Sequence, residues 1–252
     1  MMSGERASGS PGFRCGVFPD HDSMCCAIAE RFVRVASERE SLAIALTGGT
    51  TVQPLYRMLA SDYPSEIPWQ RVHVFWSDER CVPLTDAESN FRLAKELLLD
   101  HVPLPDANVH PAPVAIDDPD EAARAYEETI RRTLGGTDGR LDWALLGLGE
   151  DGHVASLFPG AQALREDSRW VIAVTDSPKP PPVRLTMTLP LLRQSREVHI
   201  LAAGAAKLEA LRGTLVEAAD GAELPARGLA GGESTVIVWA DEAAAGLSPS
   251  TN

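Results

Sequence analysis

The sequence lacks long apolar runs and is poor in basic residues. No apolar stretch approaches the ~20 residues of a transmembrane helix, and the longest candidates lie near 42–46 and 201–206. Lys and Arg number 23 against 36 Asp and Glu, which gives a net charge of −13 at pH 7. Because nucleic acids and anionic membranes are bound by basic surfaces, we expect neither as a partner.

Several motifs that identify common sites are also absent. The four cysteines include no C-x-x-C pair, which disfavours a zinc knuckle and a disulfide framework. G-x-S-x-G and H-E-x-x-H do not occur, which disfavours a serine-nucleophile elbow and a zincin metal site. Residues 1–12 lack the apolar segment of a secretory signal, so we expect a cytoplasmic protein.

Short, continuously apolar segments predict the strands of a parallel sheet that helices cover on both faces. These segments are 42–46, 72–76, 141–146, 170–174, 198–202 and 235–239. Helical patterns lie between them, at about 22–39, 51–61, 90–101, 118–134 and 205–219. The alternation predicts a three-layer α/β/α, Rossmann-like fold with a mostly parallel sheet. We expect one domain over 13–245, with disordered tails at 1–12 and 246–252.

Two loops that leave predicted strands carry candidate anion-binding groups. In the first, Gly48 and Gly49 allow close approach of the backbone, and the hydroxyl of Thr50 and nearby helix-start N–H groups favour a phosphate. A plain tight turn is the alternative, since the lysine of a P-loop is missing. In the second, Asp78 and Glu79 precede Arg80, whose planar fork suits phosphate or carboxylate, or else the three form a solvated turn.

A third loop contains Gly147, Gly149 and Gly152 in the spacing G-x-G-x-x-G. This spacing is typical of dinucleotide binding, and Asp176 lies about where a ribose-binding acid would. However, Pro159–Gly160 interrupts the helix that such a motif requires. A nicotinamide-dependent oxidoreductase is therefore an alternative that the residues leave open.

The same loop supplies His153, the side-chain type whose unperturbed pKa lies nearest neutrality. Asp151, two residues earlier, could orient the imidazole of a general base, although a structural histidine is the competing interpretation. A metal site formed by these two residues lacks a third ligand at a recognisable spacing. A fourth, proline-rich loop holds Lys179 and Arg184 at low entropic cost, and Lys207 is a further candidate cation.

These four segments, in this order, resemble the 6-phosphogluconolactonase family over roughly residues 15–240. The family pattern is L-S-G-G-S-T-P, then D-E-R-x-V-P with a following S-N, then G-x-G-x-D-G-H-x-A-S-L-F-P-G, then P-K-P-P with R-[IL]-T. The chain departs from it at Thr47 and Thr50, which replace serines and keep the hydroxyls, and at Val52, which replaces proline. Glucosamine-6-phosphate deaminases and isomerases share the fold and a D-G-H loop, but use a glutamate after the histidine; 154–160 contains no acid, which favours the lactonase.

The resemblance implies a fold of the glucosamine-6-phosphate deaminase/ribose-5-phosphate isomerase type. It implies hydrolysis of 6-phospho-D-glucono-1,5-lactone to 6-phospho-D-gluconate in the oxidative pentose phosphate pathway, with His153 and Asp151 catalytic and with no cofactor or metal. The implied substrate-binding residues are Gly48, Gly49, Thr50, Asp78, Arg80, Ser89, Asn90, Lys179, Arg184 and Lys207. Alternatives are a sugar-phosphate deaminase or isomerase and a non-catalytic sugar-phosphate sensor. We expect a monomer or a small homo-oligomer.

Overall fold

The computed structural model describes residues 12–136, 138–216 and 224–247. Its main sheet has six strands, all paired in parallel. In spatial order the strands are β1 (Phe13–Phe18), β9 (Thr235–Asp241), β8 (Glu197–Ala202), β5 (Trp143–Gly147), β2 (Leu42–Leu46) and β3 (Val72–Trp76). The predicted mostly parallel sheet is therefore confirmed. β1 was not predicted, because Arg14 and Gly16 interrupt its apolar pattern at the edge of the sheet.

A second, antiparallel sheet contains β4 (Asp78–Arg80), β7 (Arg184–Met187) and β6 (Val171–Val174). The sequence predicted 170–174 as a strand of the parallel sheet, and this placement is wrong. The connection 175–183 between β6 and β7 is shorter than the dozen or so residues that a parallel crossover needs. The two strands therefore pair as a hairpin, and their loop is the proline-rich segment.

Helices cover both faces of the main sheet. They are α1 (His21–Ser37), α2 (Gln53–Ser61), α3 (Asn90–Leu97), α4 (Pro119–Leu134), α5 (Leu189–Gln194) and α6 (Leu208–Leu215). Asp20 caps α1 by accepting from the amide of Ser23, so the helix begins one residue before the predicted 22. The predicted helices 90–101 and 205–219 both give up one end to a short 3₁₀ turn, Leu99–His101 and Ala205–Lys207 respectively, and 217–219 lie outside the described residues.

Alternate residues of each central strand enter two separate hydrophobic cores. In β2, Ala43 and Ala45 face the core formed with α4, α5 and α6, whereas Ile44 faces the core formed with α1, α2 and α3. This burial on both faces explains the continuous apolar runs in the sequence. The buried hydroxyl of Tyr126 on α4 accepts from the amide of Trp76 at 2.7 Å and ties the end of β3 to this layer.

The predicted tails lie almost entirely outside the described residues. Gly12, Gly246 and Leu247 are described, and the amides of the last two donate to the carbonyl oxygens of Ala243 and Glu242. The single domain over 13–245 stays a prediction. Within the described ranges, every helix is too short or too polar to span a bilayer.

Candidate active site

The candidate site is a cleft of about 190 Å³ at the carboxyl ends of β2 and β5. These two strands are neighbours in the sheet, and the next strand on the far side of each is β3 for β2 and β8 for β5. The strand order therefore diverges between β2 and β5. Open parallel sheets bind ligands at such a divergence, because the loops on either side separate and leave a crevice. All four motif segments contribute to the lining of this cleft.

The glycine turn after β2 forms one wall. Gly49 has a φ of +92°, which favours glycine, and a Cβ on Gly48 would lie 1.8 Å from Oδ1 of Asn90. The hydroxyl of Tyr56 fixes the start of the turn, since it accepts from the amide of Thr47 and donates to the carbonyl of the same residue. Within the described chain, the amides of Gly48, Gly49 and Thr50 donate to no protein acceptor. These amides can therefore bind an anion.

The second wall is formed by β4 and the start of α3. Glu79 is 1% exposed and accepts from the amides of Arg80, Asn90 and Phe91 and from the hydroxyl of Ser89. These bonds fix the backbone of Arg80 and the start of α3. The Arg80 guanidinium lines the cleft and donates to the carbonyl of Glu88 at 2.6 Å.

Asp78 lies on the floor of the cleft and is buried. Its side chain accepts from the hydroxyl of Ser156 at 2.7 Å and from Nδ2 of Asn90 at 3.2 Å. Because Ser156 is fully buried and donates its proton to a carboxylate, it serves as a structural link and is not placed as a nucleophile.

His153 and Asp151 form the reactive part of the cleft. Nδ1 of His153 lies 2.5 Å from Oδ1 of Asp151. A carboxylate only accepts hydrogen bonds, so Nδ1 carries the proton, and Nε2 keeps its lone pair with no hydrogen-bond partner among the described residues. Burial lowers the pKa of His153 below its ordinary value of 6.5, against the hydrogen bond and charge of Asp151. The imidazole is therefore neutral at pH 7.

Asp151 is the ionised partner. Burial raises the pKa of its carboxyl, but the hydrogen bond and charge of His153, with the charge of Lys179, outweigh that contribution and leave the pKa below its ordinary value. Nζ of Lys179 lies 3.7 Å from Oδ1 of Asp151. The carboxylate thus holds both the imidazole and a cation of the cleft.

Two neighbours restrict the imidazole of His153. A Cβ on Gly149 would lie 2.0 Å from Nδ1 of the ring, so only glycine leaves room at that position. The ring of Phe158 lies against the imidazole, with centroids 4.6 Å apart.

Gly152, which precedes His153, has a φ of +78° and packs against the side chain of Leu224. No helix continues from Gly152, in contrast to the dinucleotide-binding arrangement.

The remaining cations differ in whether protein acceptors already occupy their N–H groups. Lys179 and Lys207 line the cleft, and burial lowers the pKa of Lys207 with a contribution from the charge of Lys179. Arg184, in contrast, is 3% exposed and donates to backbone carbonyls of its own loop and to Ser156. In the described part of the chain, no three His, Cys, Asp or Glu side chains lie together as a metal site would require.

Comparison with known proteins decides the family. The family model described as glucosamine-6-phosphate isomerases/6-phosphogluconolactonase matches residues 20–239. The chain belongs to this family.

Individual members of the family are similar over nearly the whole chain. The 6-phosphogluconolactonase of Mycobacterium tuberculosis is 40% identical over 242 residues, which cover 92% of this chain and 97% of that protein. The solved structure of the 6-phosphogluconolactonase from Trypanosoma cruzi is 31% identical with a TM-score of 0.79, covering 95% of this chain and 97% of that one. A monomeric glucosamine-6-phosphate deaminase, at 22% identity and a TM-score of 0.78 over 94% of this chain and 100% of its own, is similar in fold alone. The family and fold class inferred from the sequence are confirmed.

The fold of this family brings most of the implied site residues to one cleft. Those that line it are Gly48, Gly49, Thr50, Asp78, Arg80, Asn90, His153, Lys179, Arg184 and Lys207. Ser89 does not line it; this residue caps α3 by accepting from the amide of Arg92 and donates to Glu79. Asp151 contacts the cleft through His153 and Lys179. Tyr56 and Phe158, which support the turn and the imidazole, were not inferred, because apolar positions in a helix and a loop do not indicate which side chain they will contact.

Proposed function

We propose that the protein hydrolyses 6-phospho-D-glucono-1,5-lactone to 6-phospho-D-gluconate. The observation that carries this proposal is the pairing of Nδ1 of His153 with Asp151, which leaves Nε2 as a free base in a cleft that also contains cations. General-base assistance needs a neutral imidazole at pH 7, and burial favours that form. The 40% identity to a 6-phosphogluconolactonase and the absence of an acid in 154–160 support the lactone over an amino-sugar phosphate.

The proposed reaction needs one proton to pass through His153. Nε2 takes a proton from water while the water oxygen bonds to the lactone carbonyl carbon, and negative charge develops on the carbonyl oxygen. When the tetrahedral intermediate breaks the bond to the ring oxygen, the imidazolium returns the proton to that oxygen. Asp151 stabilises the cation that exists between these steps.

Local positive charge binds the substrate phosphate in this proposal. The free amides of the glycine turn supply dipoles, and Arg80, Lys179 and Lys207 supply charge. This arrangement concentrates positive charge where the phosphate would bind, although the chain carries a net charge of −13.

The direct test is the disappearance of freshly generated 6-phosphogluconolactone, measured above its spontaneous hydrolysis. We expect catalysis that a chelator does not change. Ammonia release from glucosamine 6-phosphate, without lactone hydrolysis, would instead identify a deaminase. Binding of 6-phosphogluconate with no rate increase would identify a sensor.

The pH dependence of kcat/KM tests the protonation state of His153. Because burial holds the pKa of His153 below 6.5, we expect a plateau above that pH and a fall as the pH drops through the pKa and the base becomes protonated. In Asp151→Asn, loss of the group that raises this pKa should move the acid limb to lower pH. Binding of 6-phosphogluconate at the same pH values separates titration of the ligand phosphate from that of the enzyme. Activity that rises below the plateau would contradict a neutral base.

Replacing Arg80 or Lys179 by alanine should weaken binding of 6-phosphogluconate. A charged hydrogen bond contributes roughly 1.5–3 kcal/mol, so we expect Kd to rise about tenfold to a hundredfold, with Lys179, whose side chain is 46% exposed, at the lower end. Titration calorimetry measures the change. Lys95→Ala, which removes an exposed lysine of α3 paired with Asp100, is the matched control. If neither cleft variant changed Kd, the phosphate would bind elsewhere.

A further inference from the structure

The guanidinium of Arg184 is almost fully occupied by protein acceptors. Nε donates to the carbonyl of Pro181 at 3.0 Å, and Nη2 donates to the carbonyls of Lys179 and Pro180 at 3.0 and 3.1 Å. Nη1 donates to the hydroxyl of Ser156 at 3.4 Å. Of the five N–H bonds of an arginine, four therefore point at protein oxygens.

The fifth N–H bond lies on the side of a buried carboxylate. Nη1 of Arg184 is 3.9 Å from Oδ2 of Asp78, and both side chains are less than a tenth exposed. A phosphate that reached this fifth N–H bond would lie beside the Asp78 carboxylate, whose negative charge repels it. A phosphate could gain a hydrogen bond from the other four N–H bonds only by displacing a protein acceptor. Displacing a loop carbonyl gives up an existing charged hydrogen bond, and Ser156 is fully buried, so its hydroxyl would find no water in exchange.

The three carbonyls that Arg184 binds belong to the loop that carries Lys179. Ser177 supports the same loop, because its hydroxyl donates to the carbonyl of Lys179 and accepts from the amide of that residue. The side chain of Lys179, in contrast, extends into the cleft and is about half exposed. The backbone of Lys179 is thus fixed, while its ammonium group, 3.7 Å from Oδ1 of Asp151, lies in the cleft where a ligand would bind.

We propose that Arg184 is a positioning residue that holds Lys179 toward the substrate and does not itself bind the phosphate. Arg184 connects the Lys179 loop to the floor formed by Asp78 and Ser156. The Arg184 guanidinium also lies over the ring of Phe158, 5.7 Å from the centroid. The same Phe158 ring contacts the imidazole of His153. This assignment rests on the proposed function, and it differs from the direct substrate contact that the sequence resemblance implied.

A double-mutant cycle on Arg184→Lys and Lys179→Ala tests the proposal. Arg184→Lys keeps a positive charge near Asp78 but loses the fork that binds three carbonyls. The first readout is the Kd of 6-phosphogluconate, measured by calorimetry. The second is hydrogen exchange at the amides of Ser177, Lys179 and Val183, since the other residues of 177–183 are prolines. Arg71→Lys, which changes an arginine that binds the carbonyl of Arg39 away from the cleft, is the matched control.

If Arg184 acts through Lys179, Arg184→Lys raises Kd about tenfold, as Lys179→Ala does, and adds little in the Lys179→Ala background. Exchange at the loop amides also becomes faster. Two factors that multiply would show that Arg184 contacts the phosphate independently of Lys179, and unchanged exchange would show that Arg184 does not hold the loop; either result overturns the proposal. Should Arg184→Lys not fold, Arg184→Gln with Asp78→Asn removes the buried charge pair together and gives the same comparison. Loop exchange shows whether Arg184 holds the Lys179 loop even if the wild-type protein fails to hydrolyse the lactone or to bind 6-phosphogluconate, which are the failures of the proposed function.

Discussion

His153→Ala should lower kcat for lactone hydrolysis by about 10²–10⁴-fold, the usual contribution of a positioned general base. The variant loses the Nε2 lone pair, whereas the glycine turn and the cleft cations remain in place. We therefore expect the Kd of 6-phosphogluconate to change little. Steady-state kinetics and calorimetry on the same preparation measure the two quantities separately.

The control for this variant is His101→Ala, which changes an exposed histidine in the 3₁₀ turn after α3. Wild-type kcat in His153→Ala would remove the imidazole from the mechanism. A matched loss of kcat and of product affinity would instead show that His153 mainly maintains the shape of the cleft.

Gly149→Ala should lower kcat by about a hundredfold, because a displacement of roughly 1 Å in a catalytic group has an effect of this size. The added Cβ would lie 2.0 Å from Nδ1 of His153 and 2.5 Å from Oδ1 of Asp151, so the pair must move. The glycine turn that carries the phosphate amides lies on the other wall, and product binding should be retained. Kinetics and calorimetry again provide the measurements.

Gly136→Ala is the matched control, since a Cβ there would have no neighbour closer than 3.8 Å. In the His153→Ala background, Gly149→Ala should have little further effect, because it acts by moving a ring that is no longer present. A multiplicative loss in the double variant would mean that Gly149 acts independently of the imidazole.

The parallel sheet could be predicted because its strands are buried on both faces and therefore appear as apolar runs. β4 and β7 could not be predicted, because Asp78 lies in a charged segment and Arg184 follows a proline-rich one. In addition, the two strands pair with each other across more than a hundred positions of sequence. The motifs identified the loops of the site, and the rule that ligands bind at the carboxyl ends of parallel strands brought these loops together.

What the sequence could not predict is the direction in which each polar group points. Arg80 and Arg184 have the same side-chain chemistry, and only the folded chain shows that Arg184 is surrounded by carbonyl groups. Ser89 likewise lies in a family motif, yet it caps a helix and binds Glu79. Local sequence specifies the type of donor, whereas the three-dimensional arrangement specifies its acceptor.

The glycines of the cleft differ in whether they can be replaced by a larger residue, and this difference determines at which positions the shape of the cleft can change. Gly48 and Gly149 have no space for a larger residue, and Gly49 has a backbone conformation that other residues rarely adopt. Gly147, at the end of β5, also lines the cleft; its φ is ordinary, and a Cβ there would meet nothing within 4 Å. Selection for a smaller ligand, in nature or in the laboratory, can therefore begin at Gly147 by adding bulk to the crevice without disturbing the groups that perform the chemistry.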